Sequence, residues 1–503
     1  MSEPQVFDVV VVGSGGGALT GALLAARAGL ATVVVEKTAL IGGTSAYSGG
    51  ACWLPGSDVQ QRAGISDSTE GAREYLRAIL QEPDQHKVEA FLEQAPRLVA
   101  ELEKDHGFEF EWLPFPEYFD APGRVPMGRS IQLKNIKRAE LGDIADLLRP
   151  PIERDRAGEP GRNTLSGGQS LIGCLLAAFV REGGVVLTNY CVDALVTDGE
   201  RVVGVEAGTA DGRVRLDASR GVLIAAGGFE GNAELRKEYG VPGEVAWTMA
   251  PRGTNTGEPV QAAVGLGAAI DLLDQGWFCP GLEQPDGGGS FTLGFRGGLM
   301  VDATGRRYAN ECLPYDRFGR EMAKAPERIP SWFVFDSAEG GRLPAIAMPE
   351  GVPAEHLAAG TWVQADTIAE LAGLIGVPAG NLVETVQRFN GFAATGTDDD
   401  FGRGNDEYDT FFAGGAGPNK ALAPVEQGPF FAARFVLSDL GTKGGLVTDV
   451  AGRVLRPDGS TIAGLYASSN SAASVVGPVY PGPGVPLGTA MVFASLAVAD
   501  MVG

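Results

Sequence analysis

The segment Phe7-Asp-Val-Val-Val-Val-Gly13-Ser-Gly15-Gly-Gly-Ala18-Leu-Thr-Gly-Ala22, closed by Val33-Val-Val-Glu36-Lys37, reads as a strand, a glycine turn, a helix, a second strand and a terminal acid. A chain that opens this way is committed to a parallel βαβ layer, because two such strands joined through a helix must lie side by side. Gly13 suits the tight turn after the strand, and Gly15 lets the backbone approach a pyrophosphate. Ala18 stands where the last glycine of the pattern packs helix on strand. The helix start offers unpaired N–H groups to phosphates. Glu36, which follows Gly13 by 23 residues, falls where such units place the acid that binds a ribose hydroxyl. In a chain with 74 glycines a bare glycine pattern says little; strand, helix and acid in register point to a dinucleotide. Ser14, Gly16, Gly17 and Lys37 join Gly13, Gly15, Ala18 and Glu36 as candidate contacts.

The length, 503 residues with 44% hydrophobic content, suits a large core and more than one domain. No run of about 18 uninterrupted apolar residues occurs, and the apolar N-terminus has neither a basic flank nor a cleavage site. The expectation is a cytoplasmic protein without a transmembrane segment; a peripheral contact with a membrane stays open. A net charge of −23 disfavours nucleic acid and anionic surfaces as partners. Five scattered cysteines without a CxxC pair indicate neither a disulfide framework nor a metal site, so no metal is expected. His86, His106 and His356 lie far apart in polar or acidic stretches, which suits the surface at least as well as catalysis.

Residues 57–106 carry helical periodicity with charged positions between apolar ones. An apolar helix is expected from Ser170, then short strands from Gly184, Cys191, Arg201 and Val214, and a buried strand from Gly221. From about 277 to 439 the strand and helix alternation fades, Pro, Gly and aromatic residues rise, and an acidic loop-rich patch begins at Asp398. Strand-turn-helix sequence returns at Gly464 and ends in an apolar helix from Gly488. The expected fold is α/β: a discontinuous Rossmann-like dinucleotide domain, residues 1–276 and 440–503, with an inserted α+β catalytic domain, residues 277–439.

The opening motif alone does not separate NAD from FAD. Three further segments do: Gly42-Gly43-Thr44-Ser45-Ala-Tyr-Ser48-Gly49-Gly50, Leu223-Ile-Ala-Ala226-Gly227-Gly-Phe, and Gly464-Leu-Tyr-Ala-Ser-Ser-Asn470-Ser-Ala-Ala. Small and hydroxylated residues let a loop wrap phosphates and a flat ring closely. Together these segments resemble the two-dinucleotide flavoproteins that include the flavoprotein subunits of fumarate reductase and succinate dehydrogenase. The resemblance implies FAD, held by Gly43, Thr44, Ser45, Ser48, Gly49, Gly50, Ala226, Gly227 and Asn470 as well as the opening motif. The loop from 42 to 50 has no histidine, so the FAD is expected to be non-covalent.

Reduction of a dicarboxylate needs cationic clamps, and Arg296, Arg306, Arg307, Arg317, Arg320 and His356 show no pattern of that kind. Instead Gly477-Pro-Val-Tyr480-Pro-Gly-Pro483-Gly484-Val-Pro-Leu487-Gly-Thr-Ala-Met is similar to the C-terminal motif of bacterial 3-ketosteroid Δ1-dehydrogenases. Gly305-Arg-Arg-Tyr-Ala-Asn-Glu-Cys-Leu-Pro-Tyr315, Phe115-Pro-Glu-Tyr118-Phe119 and Asp439-Leu-Gly-Thr-Lys-Gly-Gly445 also fit. The resemblance implies loss of hydrogen from C1 and C2 of a 3-ketosteroid, with hydride passing to flavin N5. Tyr480 and the Gly484 N–H would donate to the C3 oxygen, Tyr315 would take the C2 proton, and Tyr118 would favour the ionised form of Tyr315. A phenol, with a reference pKa near 10, needs such a neighbour to act as a base. Pro483, Gly484 and Leu487, with Gly445 and Ser469, are implied to lie near the flavin. Trp53, Phe278, Phe291, Phe295 and Met300 are candidate walls of an apolar pocket. The partners are the steroid and an external electron acceptor, quinone-like or an artificial dye. A Δ4-(5α)-dehydrogenase, a fumarate-reductase-like enoate reductase and a non-catalytic flavin carrier are the alternatives.

Overall fold

The computed structural model describes residues 5–503. The chain divides into two units. The first ends at Gly240 and is continued by Ala250–Gln275 and Thr442–Gly503; the second comprises Val241–Met249 and Gly276–Gly441. The sequence reading assigned 241–249 to the dinucleotide domain. The structure puts it with the second unit, because the Met249 N–H donates to the Asp439 carbonyl, Thr248 Oγ1 donates to Asp439 Oδ1 at 2.7 Å and Ser438 Oγ donates to the Trp247 carbonyl at 2.5 Å.

The first unit is built on an eight-stranded sheet. Its main path runs Arg453–Leu455, Thr461–Ala467, Gly212–Ile224, Gln5–Val12, Thr32–Glu36, Val185–Thr188; Arg201–Thr209 is added beside Gly212–Ile224, and Cys191–Asp198 beside Arg201–Thr209. The central strands pair in parallel, Val10 with Val222 and Val33, and Val222 with Leu465. Val9, Val10, Val11, Val33, Val34 and Leu223 are fully buried. Continuous apolar runs of this kind are what a parallel sheet covered on both faces requires.

Two strands expected from Val214 and Gly221 are one 13-residue strand, Gly212–Ile224. Its first half pairs antiparallel with Arg201–Thr209 and its second half parallel with Gln5–Val12. Helix Gly16–Arg27 packs against Gly168–Arg181 and Val485–Val502. The last of these is long and apolar enough to cross a membrane by length and composition, but 61% of it is buried inside the protein, as in a core helix. The expected helices between 57 and 106 include Thr69–Ile79 and Gln85–Leu102, whose N-termini are capped by Ser68 and Asp84.

The second unit carries more strand than the sequence suggested. Leu299–Val301, Ser331–Phe335, Phe430–Thr442, Gly276–Glu283, Gly289–Leu293 and Ile346–Met348 form one sheet, with Trp362–Ala365 added to Phe430–Thr442. Every residue of Gly276–Glu283 and Gly289–Leu293 is buried, so the alternation that betrays a half-exposed strand is missing. Helices Ile368–Ile375 and Ala379–Thr395 bring Leu371, Leu382, Val386 and Phe389 into a core with Leu299 and Val334.

Candidate active site

The dinucleotide cradle forms where the first strand ends. Gly13 has φ +102°, and a Cβ there would stand 2.4 Å from the Ala225 carbonyl oxygen. Ser14 Oγ donates to Glu36 Oε2 at 2.5 Å and accepts the Gly42 N–H at 2.9 Å. Glu36 Oε1 accepts the Thr38 N–H and hydroxyl, both at 2.9 Å. A carboxylate offers about four lone-pair sites, which leaves room for a ribose hydroxyl. The Gly16 N–H meets Ser45 Oγ at 3.1 Å, so the helix start and the 42–50 loop share one anion-binding corner. Ser48 Oγ accepts the Gly50 N–H, and the Ser48 carbonyl accepts from Gly168. Gly43 and Gly49 have open space where a side chain would stand.

Ala18 is fully buried, and at its neighbour Gly17 the first helix comes close to the C-terminal helix. A Cβ on Gly17 would lie 2.5 Å from Ser469 Oγ and 2.9 Å from the Ala490 carbonyl. Lys37 is engaged by Glu258 at 2.8 Å and Thr256 at 2.6 Å. On the other side of the cradle Ser471 Oγ accepts from Ala226 N and donates to the Gly227 carbonyl. Asn470 lies on the turn Ser469–Ser471, a Cβ on Gly445 would meet the Ser471 carbonyl at 2.5 Å, and one on Gly16 would meet Leu487 at 3.0 Å. Buried hydroxyls of Thr44, Ser468 and Ser474 have no protein partner. Orphaned donors beside a glycine-lined corner are what a bound, polar cofactor would satisfy, so the residues present fit FAD. Ser471 escaped the sequence reading because a lone serine in a small-residue run carries no signal.

The C-terminal tyrosine motif lies in the same unit. Tyr480 is 3% exposed and its ring meets Tyr118 edge to face, with centroids 5.2 Å apart. Gly484 caps helix Val485–Val502 with φ +85°, a conformation that favours glycine. A Cβ there would stand 2.5 Å from the Ala51 carbonyl. Its carbonyl accepts from Trp53 and Gly488, and no hydrogen bond from its N–H is found among the described residues. Pro483 accepts from Ser130 Oγ at 2.5 Å. Beside Tyr118, the Phe119 N–H donates to the Tyr75 hydroxyl at 3.1 Å. Tyr75, Ser130, Glu117 and Arg129 surround this motif without having been singled out in the sequence; their contacts are long-range and no local pattern marks them.

In the second unit Tyr315 opens helix Tyr315–Ala323 and is 5% exposed. Its ring stands perpendicular on Phe291, centroids 4.8 Å apart. The segment before it is pinned by buried charges: Glu311 accepts from Arg307 at 2.9 and 2.8 Å, from Arg403 at 3.0 Å and from Met300 N. Burial would raise the Glu311 carboxyl, but Arg307 and Arg403 hold it below its ordinary range. Phe295 packs among Phe318, Phe333 and Phe435, Trp53 stacks on Phe91, Phe278 lies under Arg320 and Met300 is a strand residue 1% exposed. Of the five candidate wall residues, Phe291 contacts a candidate catalytic side chain, Tyr315.

Three of the five arginines considered as dicarboxylate clamps are committed elsewhere. Arg306 pairs with Glu384, Arg307 with Glu311 and Asp398, and Arg320 with Asp316. His356 is not a surface residue: it is 1% exposed, stacks on Trp362 at 4.8 Å and pairs through Nδ1 with Thr361 Oγ1. His86 and His106 are exposed. Among the described residues no cluster of His, Cys, Asp and Glu could hold a metal ion.

Residues 8–487 match the FAD binding domain family. A 3-oxosteroid 1-dehydrogenase of Rhodococcus opacus is 41% identical over 98% of both chains. The solved 3-ketosteroid Δ1-dehydrogenase of Sterolibacterium denitrificans, in complex with 1,4-androstadiene-3,17-dione, superposes with a TM-score of 0.91 at 30% identity, covering 99% of each chain. A 3-ketosteroid Δ4-(5α)-dehydrogenase of Rhodococcus jostii gives 0.71 at 23% identity, over 100% of this chain and 98% of that one, a likeness of fold.

Proposed function

Because the chain belongs to the 3-oxosteroid 1-dehydrogenase family of FAD-binding flavoproteins, we propose that its tyrosines remove two hydrogens across C1 and C2 of a 3-ketosteroid. Bound FAD supplies the acceptor for the C1 hydride. Tyr480 and the Gly484 N–H donate to the C3 oxygen and stabilise the charge that gathers there as the C2 proton leaves, the logic of an oxyanion hole. Tyr315 takes that proton through its phenolic oxygen. Tyr118 donates a hydrogen bond to this oxygen and so favours its ionised form. The observation that carries the reading is the pairing of Tyr480, beside Tyr118 at 5.2 Å, with a Gly484 whose backbone is held in the left-handed region at the end of the same turn.

The electrons then leave for an external quinone-like acceptor, replaced in an assay by a dye, and the enzyme works in the cytoplasm. Anaerobic addition of androst-4-ene-3,17-dione is expected to bleach the flavin band and yield the 1,4-diene. Bleaching only with the 5α-reduced ketone, with a 4-ene product, would move the reaction to C4 and C5. Tyr315→Phe should lose about 10²–10⁴-fold in kcat, the usual worth of a positioned base, while keeping its FAD. Normal kcat in that variant would place the base elsewhere.

A further inference from the structure

The turn that carries Tyr480 is held by its carbonyls. Lys443 Nζ donates to Val479 O at 2.7 Å, and the Tyr75 hydroxyl and Tyr118 N–H donate to Pro481 O at 2.7 and 3.0 Å. Ser130 Oγ donates to Pro483 O at 2.5 Å and the Trp53 N–H to Gly484 O at 3.0 Å. Four of these donor residues converge on one buried ion cluster.

Its hub is Glu117, fully buried and next in sequence to Tyr118. Oε1 accepts from the Trp53 indole at 2.9 Å and from Arg129 Nε at 2.6 Å. Oε2 accepts from Val125 N at 2.9 Å and Arg129 Nη2 at 3.1 Å. Arg129, next to Ser130, also pairs with Asp67 at 2.8 Å, and its guanidinium lies over the rings of Trp53 and Tyr75 at 5.4 and 5.7 Å. A Cβ on Gly482 would come within 3.4 Å of both Trp53 Nε1 and Glu117 Cγ. The Glu117 side chain therefore packs close to the turn, and its carboxylate binds together the segments that hold it.

We propose that Glu117 is a positioning residue for the reaction: through Trp53 and Arg129 it fixes the Tyr118 ring against Tyr480 and so sets where the Tyr118 hydroxyl points. A buried ion pair is a weak source of stability, since desolvation offsets its attraction. Four directed hydrogen bonds on one carboxylate do fix geometry, and catalysis is sensitive to displacements of about 1 Å. The role rests on the tyrosine reading given above.

The test uses FAD-loaded full-length enzyme, androst-4-ene-3,17-dione and a dye acceptor. Glu117→Gln keeps the shape but turns one acceptor into a donor facing Trp53 or Arg129. It should lower kcat by at least about tenfold, with KM changed by less than about threefold and flavin content retained. In a Tyr118→Phe background the same change should cost less than about threefold more, because the route it acts through is already gone. Undiminished kcat in Glu117→Gln, or a full multiplicative loss in the double variant, would overturn the proposal. Unchanged kcat in Tyr118→Phe itself would sink the tyrosine reading, and this role with it. Should Glu117→Gln not yield holoenzyme, Trp53→Phe removes the indole donor to Glu117 and leaves an aromatic ring to stack on Phe91. It should lower kcat about threefold at constant KM, and no change would count against Glu117.

Discussion

The Tyr118 ring meets the Tyr480 ring with planes 65° apart, and the Tyr118 N–H donates to the carbonyl of Pro481, the residue after Tyr480. One aromatic contact and one backbone bond thus tie two segments more than 350 positions apart in the chain. In sequence Tyr118 stands in a short segment far from the Tyr480 motif. The fold brings Tyr118 to the Tyr480 ring.

Hydroxyl and ring can be separated. Tyr480→Phe keeps the edge-to-face contact, worth about 0.5–1.5 kcal/mol, and removes the hydroxyl proposed to donate to the C3 oxygen. The folded protein should keep its flavin and its melting temperature while kcat/KM falls about 10²–10³-fold, the usual loss for one oxyanion donor. Steady-state kinetics beside a flavin absorbance spectrum checks both. A loss of flavin together with activity would mean that Tyr480 serves packing instead.

Gly17 is where the first helix closes on the C-terminal helix. Gly17→Ala would push a methyl toward Ser469 Oγ and the Ala490 carbonyl, and the backbone oxygen cannot rotate away. The helix start must then shift from the Ser45 corner. FAD affinity should fall by about tenfold or more (about 1.4 kcal/mol per decade), measured by flavin released on dilution, whereas Ala18→Gly should bind FAD almost normally.

What the sequence discloses here follows from the range of the contacts. Gly13, Gly15 and Glu36 announce a dinucleotide because one turn and two strands fix their spacing locally. Tyr480 and Gly484 stand in a single short motif. By contrast Glu117, Arg129, Trp53 and Ser471 act across tens to hundreds of residues, and in sequence each is an ordinary buried or small side chain. Gly276–Glu283 hid for a different reason, since burial on both faces removes its alternation. His356 misled the reading because its polar neighbours in sequence are not its neighbours in space: Trp362 is.

His356 should also tie stability to pH. Burial pushes its imidazole down from 6.5 to about 4, so between those values the unfolded chain binds a proton that the folded one refuses. The contribution is complete above about pH 6.5 and is lost as pH falls toward 4, up to about 3 kcal/mol. Urea midpoints of the wild type should drop from pH 7 to pH 5 more steeply than those of His356→Asn, whose amide can still meet Thr361 Oγ1. Parallel slopes would show that His356 does not titrate in this window.

Glu311 is the anchor of the segment leading into Tyr315. It is fully buried between Arg307 and Arg403, and it also accepts the Met300 N–H. Removing one member of a buried ion cluster strands the others, at a cost of about 3–5 kcal/mol, while replacing charges on both sides by apolar groups is often neutral. Glu311→Leu should therefore lower the denaturation midpoint sharply and reduce kcat, because the start of helix Tyr315–Ala323 loses its brace. Arg403→Met added to it should restore part of the stability, since Arg307 keeps Asp398 at 2.9 Å. Restored stability without restored kcat would show that the carboxylate orients Tyr315 as well as balancing charge; equal recovery of both would mean that it only balances charge.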